Sequence, residues 1–422
     1  MLSINRILQN PEQVVALLSV KHYHAAEQIE KIIELDKARK QAQIENDNIQ
    51  AEINKLSKEI GILFQQKESE KANELKKQST DMKEQSLALS NRQKEIQQEL
   101  HDLLIELPNL PHPDINPGQS EADNVVIRQY GEIAKRNNKP HWEIAELTGI
   151  IDFETGNKIT GGGFPVYKGK GAKLQRALIN YFLDHAVKAG YLEVEPPLFV
   201  NEASAYGTCQ LPDKDGQMYF INEDKFYLIP TAEVPLTNIY RDCILSLNEL
   251  PVKLTGFTPC FRREAGSYGK NVRGLNRLHQ FDKVEIVQLT TPDKSYQVLD
   301  EMINHVEKIL LELGLTFRII RLCGKDMSFA SALTYDFEVY SYGQERWLEV
   351  SSVSNFESFQ ANRLKLRYKD ENGKNQTAHT LNGSALALPR IVASILEHQQ
   401  EQNKVIIPEA LIKYTGFENI EF

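Results

Sequence analysis

Five cations and one acid crowd residues 262–277 of an otherwise acidic chain. Arg262, Arg263, Lys270, Arg273 and Arg277 stand against Glu264 alone, a local net charge of +4, while the 422-residue chain carries −9. Glycines at 266, 269 and 274 punctuate this run. The stretch Phe261-Arg262-Arg263-Glu264-Ala265-Gly266-Ser267 leads on to His279-Gln280-Phe281-Asp282-Lys283-Val284-Glu285. Read as a strand, the second segment puts Phe281, Lys283, Glu285 and Val287 on one face. A basic hairpin that feeds a strand bearing a ring and a carboxylate suits a phosphorylated ligand with a planar base. A solvated basic loop on an ordinary hairpin is the plainer alternative.

The usual nucleotide signatures are missing. There is no GxxxxGK(S/T) loop and no strand-associated GxGxxG. If ATP binds, arginines must hold its phosphates, and Arg262 and Arg390 offer the fixed guanidinium fork that suits phosphate oxygens. A hard divalent cation needs oxygen ligands, which Glu349 and Ser352 can supply. These two are three positions apart, so a regular strand sends them to opposite faces. Either a bulge or strand end lies there, or only one of them is a ligand. Phe281 offers a stacking surface, and Glu285 and Glu233 suit an ammonium group. Each has a bland alternative: Phe281 as core, Glu285 as a cross-strand partner, Arg390 on a helix surface. Cys209, Cys243, Cys260 and Cys323 are scattered without CxxC or zinc spacing, which predicts reduced thiols in a cytoplasmic protein. His22 and His24 have nothing near them to complete a metal site. No apolar run is long enough for a membrane span.

The elements that position these groups follow from composition. From Glu12 to Leu107 there is no proline and a single glycine, Gly61. Ile49, Ile53, Leu56, Ile60 and Leu63 alternate spacings of four and three, and Leu75, Met82, Leu89, Ile96 and Leu103 recur every seventh residue. Both are coiled-coil seams. A polar stretch at 65–70 marks the tip of an antiparallel helical hairpin with arms over 27–65 and 70–107. Only one seam is apolar, so the arm is expected to project from the body. Its charge, 15 basic against 18 acidic residues over 1–110, restricts any nucleic-acid surface to a stripe such as Lys31, Lys37, Arg39, Lys40, Lys55, Lys58, Lys71, Lys76 and Lys77. Prolines at 108, 111 and 113 end the arm, and a second domain occupies 111–422. There an amphipathic helix is expected over 171–189, with Leu174, Leu178, Tyr181, Phe182 and Ala186 on one face, then a strand from Tyr191 to Pro197. That unit suits a dimer interface, or an ordinary helix–strand packing. Tyr227 to Pro235 reads as a strand ending in a hydroxyl and a carboxylate. Residues 298–314 and 385–402 read as helices, and 347–354 as a strand. Few strands alternate with helices, so the body is expected to be α+β, an antiparallel sheet flanked by helices.

Taken together and in order, these motifs resemble the bacterial-type seryl-tRNA synthetases, a class II family. The resemblance covers the arm and the Gly171–Pro197 segment, which is similar to class II motif 1. It includes Thr231-Ala232-Glu233, and Phe261 through Glu285, which is similar to motif 2. It ends on Glu349-Val350-Ser351-Ser352 and on Asn382-Gly383-Ser384 through Arg390, similar to motif 3 (382–400). It implies activation of L-serine with ATP to seryl-adenylate, then transfer to tRNA(Ser), with selenocysteine tRNA as a further acceptor. It implies that Arg262 clamps the α-phosphate and the serine carboxylate, that Arg390 holds the γ-phosphate, and that Glu349 and Ser352 hold Mg2+. Glu264 meets the adenine or the tRNA end. Phe281 stacks on the adenine with Leu278 beside it, and Arg263, Val350 and Ser351 complete the ATP site. Thr231, Ala232, Glu233, Glu285 and Ser384 enclose the serine. It further implies tRNA binding by the arm, a homodimer through 171–197, and no zinc. The sequence departs from the family's common pattern at Arg263, Cys209 and Leu388-Pro389. Two alternatives remain: a related ligase that loads a carrier other than tRNA, and a non-catalytic coiled-coil paralogue. The first is expected to lack the arm, the second to lack Arg262, Glu285 or Arg390.

Overall fold

The computed structural model describes residues 1–265 and 273–422; Gly266, Ser267, Gly269 and Lys270 of the basic stretch lie outside the described residues. The chain divides into two compact units, Met1–Pro108 and Asn109–Phe422.

The first unit is helical. Two short helices, α1 (Ile4–Gln9) and α2 (Pro11–Val20), precede two long ones, α3 (Ala26–Gln65) and α4 (Ser69–Glu106). At ~1.5 Å per residue each long helix approaches 60 Å. They run antiparallel: Gln28 bonds the Leu103 carbonyl near one end, and Gln50 bonds Ser86 further along. Ile53, Ala72, Ile96 and Leu100 are buried in the seam, but so are Ser79 and Ser86. Gln50 Nε2 donates to Ser86 Oγ at 2.5 Å, and Ser86 Oγ donates to Asn46 Oδ1 at 2.7 Å. A polar layer of this kind fixes the register of a coiled coil at some cost in stability. Within the basic stripe, Lys31 pairs with Glu99, Arg39 and Lys40 with Asp36, Lys55 with Glu52 and Lys71 with Glu68.

The second unit is α+β. Its central sheet contains β1 (Val125–Tyr130), β2 (Leu192–Glu193), β3 (Val252–Phe261), β4 (Gln280–Thr290), β5 (Phe317–Arg321), β6 (Leu333–Ser341), β7 (Arg346–Asn355) and β8 (His379–Ala387). The spatial order is β1-β5-β6-β7-β8-β4-β3-β2, antiparallel throughout except for the β2–β3 pair at one edge. Helices α5 (Lys170–Lys188), α6 (Glu233–Asn238), α7 (Ser295–Glu312) and α8 (Leu388–His398) pack around it. One core, built from Ala232, Leu236, Leu254, Val287, Leu289, Leu364 and Leu366, lies directly beneath the site described below.

Three expectations change. The strand expected from Tyr227 to Pro235 stops at Leu228, and α6 starts at Glu233. Pro235 sits in the first turn of that helix, where its missing N–H costs nothing. The helix expected over 385–402 begins only at Leu388, because Ala385–Ala387 complete β8, and it ends at His398. Short apolar runs do not distinguish a buried strand from a helix. Pro389 also falls in a first turn. Finally, the strand expected from Tyr191 to Pro197 is only the two-residue β2, while the apolar face expected on α5 is present and buried at Leu174, Leu178, Tyr181, Phe182 and Ala186, with Val187 and Leu192 exposed in the same segment.

Candidate functional site

A cavity of about 660 Å3 opens over β4, β7 and β8. The two-residue period of β4 brings Phe281, Lys283 and Glu285 into its wall, whereas Val287 on the same face continues into the core beneath. Thr231, Glu233, Arg262, Glu264, Leu278, Glu349, Val350, Ser352, Ser384 and Arg390 line it as well. Nearly all the proposed site residues, scattered over 160 positions of sequence, thus face one space.

One end of the cavity is a pocket of carboxylates. Glu285 and Lys283 are buried and form an ion pair at 2.5 Å. The Thr231 hydroxyl donates to Glu285 Oε2 at 2.8 Å, and accepts from Lys283 Nζ at 2.8 Å and from the Glu233 N–H at 3.2 Å. A hydroxyl has one proton and two lone pairs, so this one is fully committed within the protein. Glu233 Oε1 accepts from Gln360 Nε2 at 2.6 Å, and Gln360 is itself held by Thr380 Oγ1 at 2.7 Å. Burial, then the nearby Glu285 charge, push the Glu233 carboxyl up to about 7, against the opposing pull of Gln360 and Lys283.

The other end is basic. Arg262 Nε donates to the Pro230 carbonyl at 3.2 Å, and its guanidinium lies 5.2 Å from the Phe281 ring centre. Arg390, two residues into α8, donates to the Asn276 carbonyl at 3.1 Å and to the Glu349 carbonyl at 2.6 Å, and pairs with the Glu349 carboxylate at 3.3 Å. The loop carrying Asn276 and Leu278 is anchored from below. Leu275 N–H donates to Nε2 of the fully buried His141, whose Nδ1 bonds Glu397 of α8 at 2.6 Å. Glu264 accepts from Arg277 at 3.0 Å.

Glu349 and Ser352 reach the same cavity because β7 carries a bulge. Phe337 of β6 faces Ser351 and the next residue, Glu338, faces Glu349, which leaves Val350 without a partner on β6. One extra residue reverses the alternation, so both oxygen donors point one way. Gly383 lets β8 close on this stretch: a Cβ there would stand 2.8 Å from Val353 Cγ2 and 3.3 Å from the Ser352 carbonyl. Asp336, opposite Ser352, has a buried Oδ1 with no hydrogen-bond partner among the described residues. Burial and the Glu349 charge raise its carboxyl well above the usual range. This donor set suits a hard cation that also takes phosphate oxygens and water. Among the described residues no group of three or more His, Cys, Asp or Glu side chains is arranged to hold a metal by itself.

Three residues of the expected set lie elsewhere. Ala232 is buried in the core under the cavity. Arg263 lays its guanidinium 5.7 Å from the ring centre of Tyr219. Ser351 is buried and donates to the Ser384 carbonyl at 2.6 Å. Conversely, Asn276, Lys283 and Asn382 line the cavity although residue type and spacing assign them no role. Lys283 was legible as a face-mate of Phe281 and Glu285. Nothing in the sequence points to Gln360 or Asp336.

Residues 1–111 match the model of the seryl-tRNA synthetase N-terminal domain, and residues 219–399 that of the class II tRNA synthetase core domain (G, H, P, S and T). A serine–tRNA ligase of Salinibacter ruber is 47% identical, with 100% of this chain and 99% of that protein covered. The chain belongs to the seryl-tRNA synthetase family. A seryl-tRNA synthetase of Pyrococcus horikoshii solved with ATP shares 33% identity and a TM-score of 0.94, covering 100% of this chain and 99% of that one. The cytoplasmic serine–tRNA ligase of Naegleria fowleri solved with AMP shares 27% identity and a TM-score of 0.89, again covering 100% and 99%. Within the seryl-tRNA synthetase family, the N-terminal unit of this chain corresponds to the matched N-terminal domain, and all residues lining the cavity except Gln210 and Gln217 fall within the matched class II core.

Proposed function

We propose a division of labour by which this chain, as an ATP-dependent serine–tRNA ligase, performs its reaction. A serine carboxylate oxygen attacks the α-phosphorus of ATP, pyrophosphate leaves, and the terminal ribose of tRNA(Ser) then takes the seryl group as AMP departs. Positioning and charge stabilisation carry most of such a transfer. Arg262, at the basic end of the cavity, bridges the serine carboxylate and the α-phosphate. Arg390 holds the γ-phosphate, Phe281 and Leu278 the adenine, and Glu264 the adenine or the tRNA end. Glu233 takes the serine ammonium. Glu285 and Ser384 enclose the hydroxymethyl group, with Thr231 ordering both carboxylates. Glu349 and Ser352 would hold Mg2+, which when bound supplies charge neutralisation on the phosphates. The arm binds tRNA(Ser) through shape and backbone contacts. Selenocysteine tRNA is a further acceptor where the source makes one. Two chains pair through the 171–197 segment, where Val187 and Leu192 are exposed. Among the described residues no helix is long and apolar enough to cross a membrane, and the cytoplasm is the proposed location.

The observation that carries this reading is the juxtaposition, in one cavity, of the Glu233–Glu285 pocket with Arg262 and Arg390. Serine-dependent ATP–pyrophosphate exchange, followed by charging of purified tRNA(Ser), tests it. Absence of exchange overturns the enzymatic reading. Exchange without charging assigns the chain to a ligase for another carrier.

A further inference from the structure

Lys283 is the one residue on the wet part of the β4 face without a role in the scheme above. Its placement is unusual. A lysine is rarely buried, yet this one is almost fully so, at the edge of a pocket that holds two carboxylates. Its ammonium touches Glu285 Oε2 at 2.5 Å and the Thr231 hydroxyl at 2.8 Å. Burying an ion pair costs desolvation of both charges, so such a pair is weak evidence for stability. The effect on hydrogen-bond polarity is more informative.

An ionised carboxylate can only accept, whereas a protonated one also donates. Glu285 and Glu233 influence each other in a buried space, and one of two such acids tends to keep its proton. Lys283 makes its direct contact with Glu285 and acts on Glu233 only from further off, so its positive charge is placed against Glu285 first and Glu233 carries the shared difficulty. The other groups facing the pair do not replace this charge. Cys260 of β3 is a buried thiol that burial pushes up, Gln360 is neutral, and Arg262 is anchored on Pro230. Thr231 has no free proton or lone pair left for a ligand. Glu285 is therefore the acceptor that awaits a substrate hydroxyl.

We propose that Lys283 is a specificity-determining residue, which pairs with the Glu285 carboxylate and orients it as a hydrogen-bond acceptor so that the pocket selects an amino acid able to donate a side-chain hydrogen bond. This rests on reading the pocket as the serine site. With alanine, Glu285 would lack the substrate hydrogen bond, and sites built around a substrate hydroxyl discriminate by ~10⁴ or more. Without Lys283 the pair of acids holds its shared proton more tightly, the pocket gains a donor, and the penalty against alanine shrinks.

The test compares wild type with Lys283→Met, Lys283→Gln and Lys283→Arg in amino-acid-dependent ATP–pyrophosphate exchange over pH 6–9. Serine and alanine are each titrated, and ATP KM is recorded alongside. Lys283→Met is expected to raise the serine KM at least tenfold at pH 7, with the loss shrinking towards pH 9 as the acids ionise. It is also expected to lower the serine-over-alanine ratio of kcat/KM about tenfold, with ATP KM within twofold of wild type. Lys283→Arg retains the charge and should recover most of the ratio. Lys283→Gln retains a donor to Thr231 without the charge and should behave as Lys283→Met does, which keeps the test usable if the methionine variant does not fold. An unchanged serine-over-alanine ratio in the Met or Gln variant, or a KM increase independent of pH, overturns the proposal. Absence of serine-dependent exchange in the wild type would overturn the reading of the site instead.

Discussion

The raised carboxyl of Glu233 makes serine binding pH-dependent in a definite direction. Its value is about 7, against 4.5 for the free side chain. In the ligand-free protein the folded state therefore keeps a proton that the unfolded chain releases. Stability falls as pH rises from about 4.5 to 7, by about 3 kcal/mol in all at 1.36 kcal/mol per pH unit. A serine ammonium reverses this, because it favours the ionised carboxylate and drives the proton off. At pH 6 roughly one-tenth of Glu233 is ionised and at pH 8 roughly nine-tenths, so serine affinity should rise about tenfold across that interval. The assay is calorimetric titration of serine at pH 6, 7 and 8 in two buffers of different ionisation enthalpy, paired with serine KM in the exchange reaction. Close to one proton should be released per serine at pH 6, and almost none at pH 8. Glu233→Gln should bind serine weakly with a flat profile. A wild-type affinity constant from pH 6 to 8, or binding at pH 6 without proton release, would refute the assignment of the ammonium to Glu233.

Four further outcomes are expected. Arg390→Ala should lower the exchange kcat about 10²–10³-fold at saturating serine, the usual cost of losing one charge-stabilising donor group, and Arg390→Lys should recover little because an ammonium lacks the planar fork; near-wild-type exchange would show that Arg390 is not a phosphate ligand. Ser352→Ala and Glu349→Gln should each raise the Mg2+ concentration for half-maximal exchange roughly tenfold, and an unchanged Mg2+ dependence would remove them from the metal site. Gly383→Ala should lower stability by about 1–3 kcal/mol in a melting experiment, because its Cβ would press on Val353 at 2.8 Å. Deleting residues 30–105 should spare exchange and cut charging of tRNA(Ser) at least ~100-fold, the scale of several lost phosphate contacts; efficient charging by the truncated chain would disprove the role given to the arm.

Much of this protein follows from the order of its residues. Residue types and periods establish that a long hairpin comes first, since residues with helical propensity recur at heptad spacing with no proline to interrupt them. They establish that Phe281, Lys283 and Glu285 share a face, because a strand alternates strictly. They also say which groups can carry charge. What they leave undecided is every contact that depends on a neighbouring strand or on burial. Ser79 and Ser86 of α4 look like surface positions until α3 packs against them. Glu349 and Ser352 cannot both reach a cation until β6 forces an extra residue into β7 at Val350. The hydroxyl of Thr231 reads as a ligand contact, and only the approach of Lys283 and Glu285 shows it already saturated. The charge state of Glu233 belongs wholly to the folded chain, because it arises from desolvation and from a second acid 52 residues away in sequence. Local sequence fixes type and periodicity through short-range sterics. Register, bulges and proton affinity are set by long-range packing, and that is where the site acquires its chemistry.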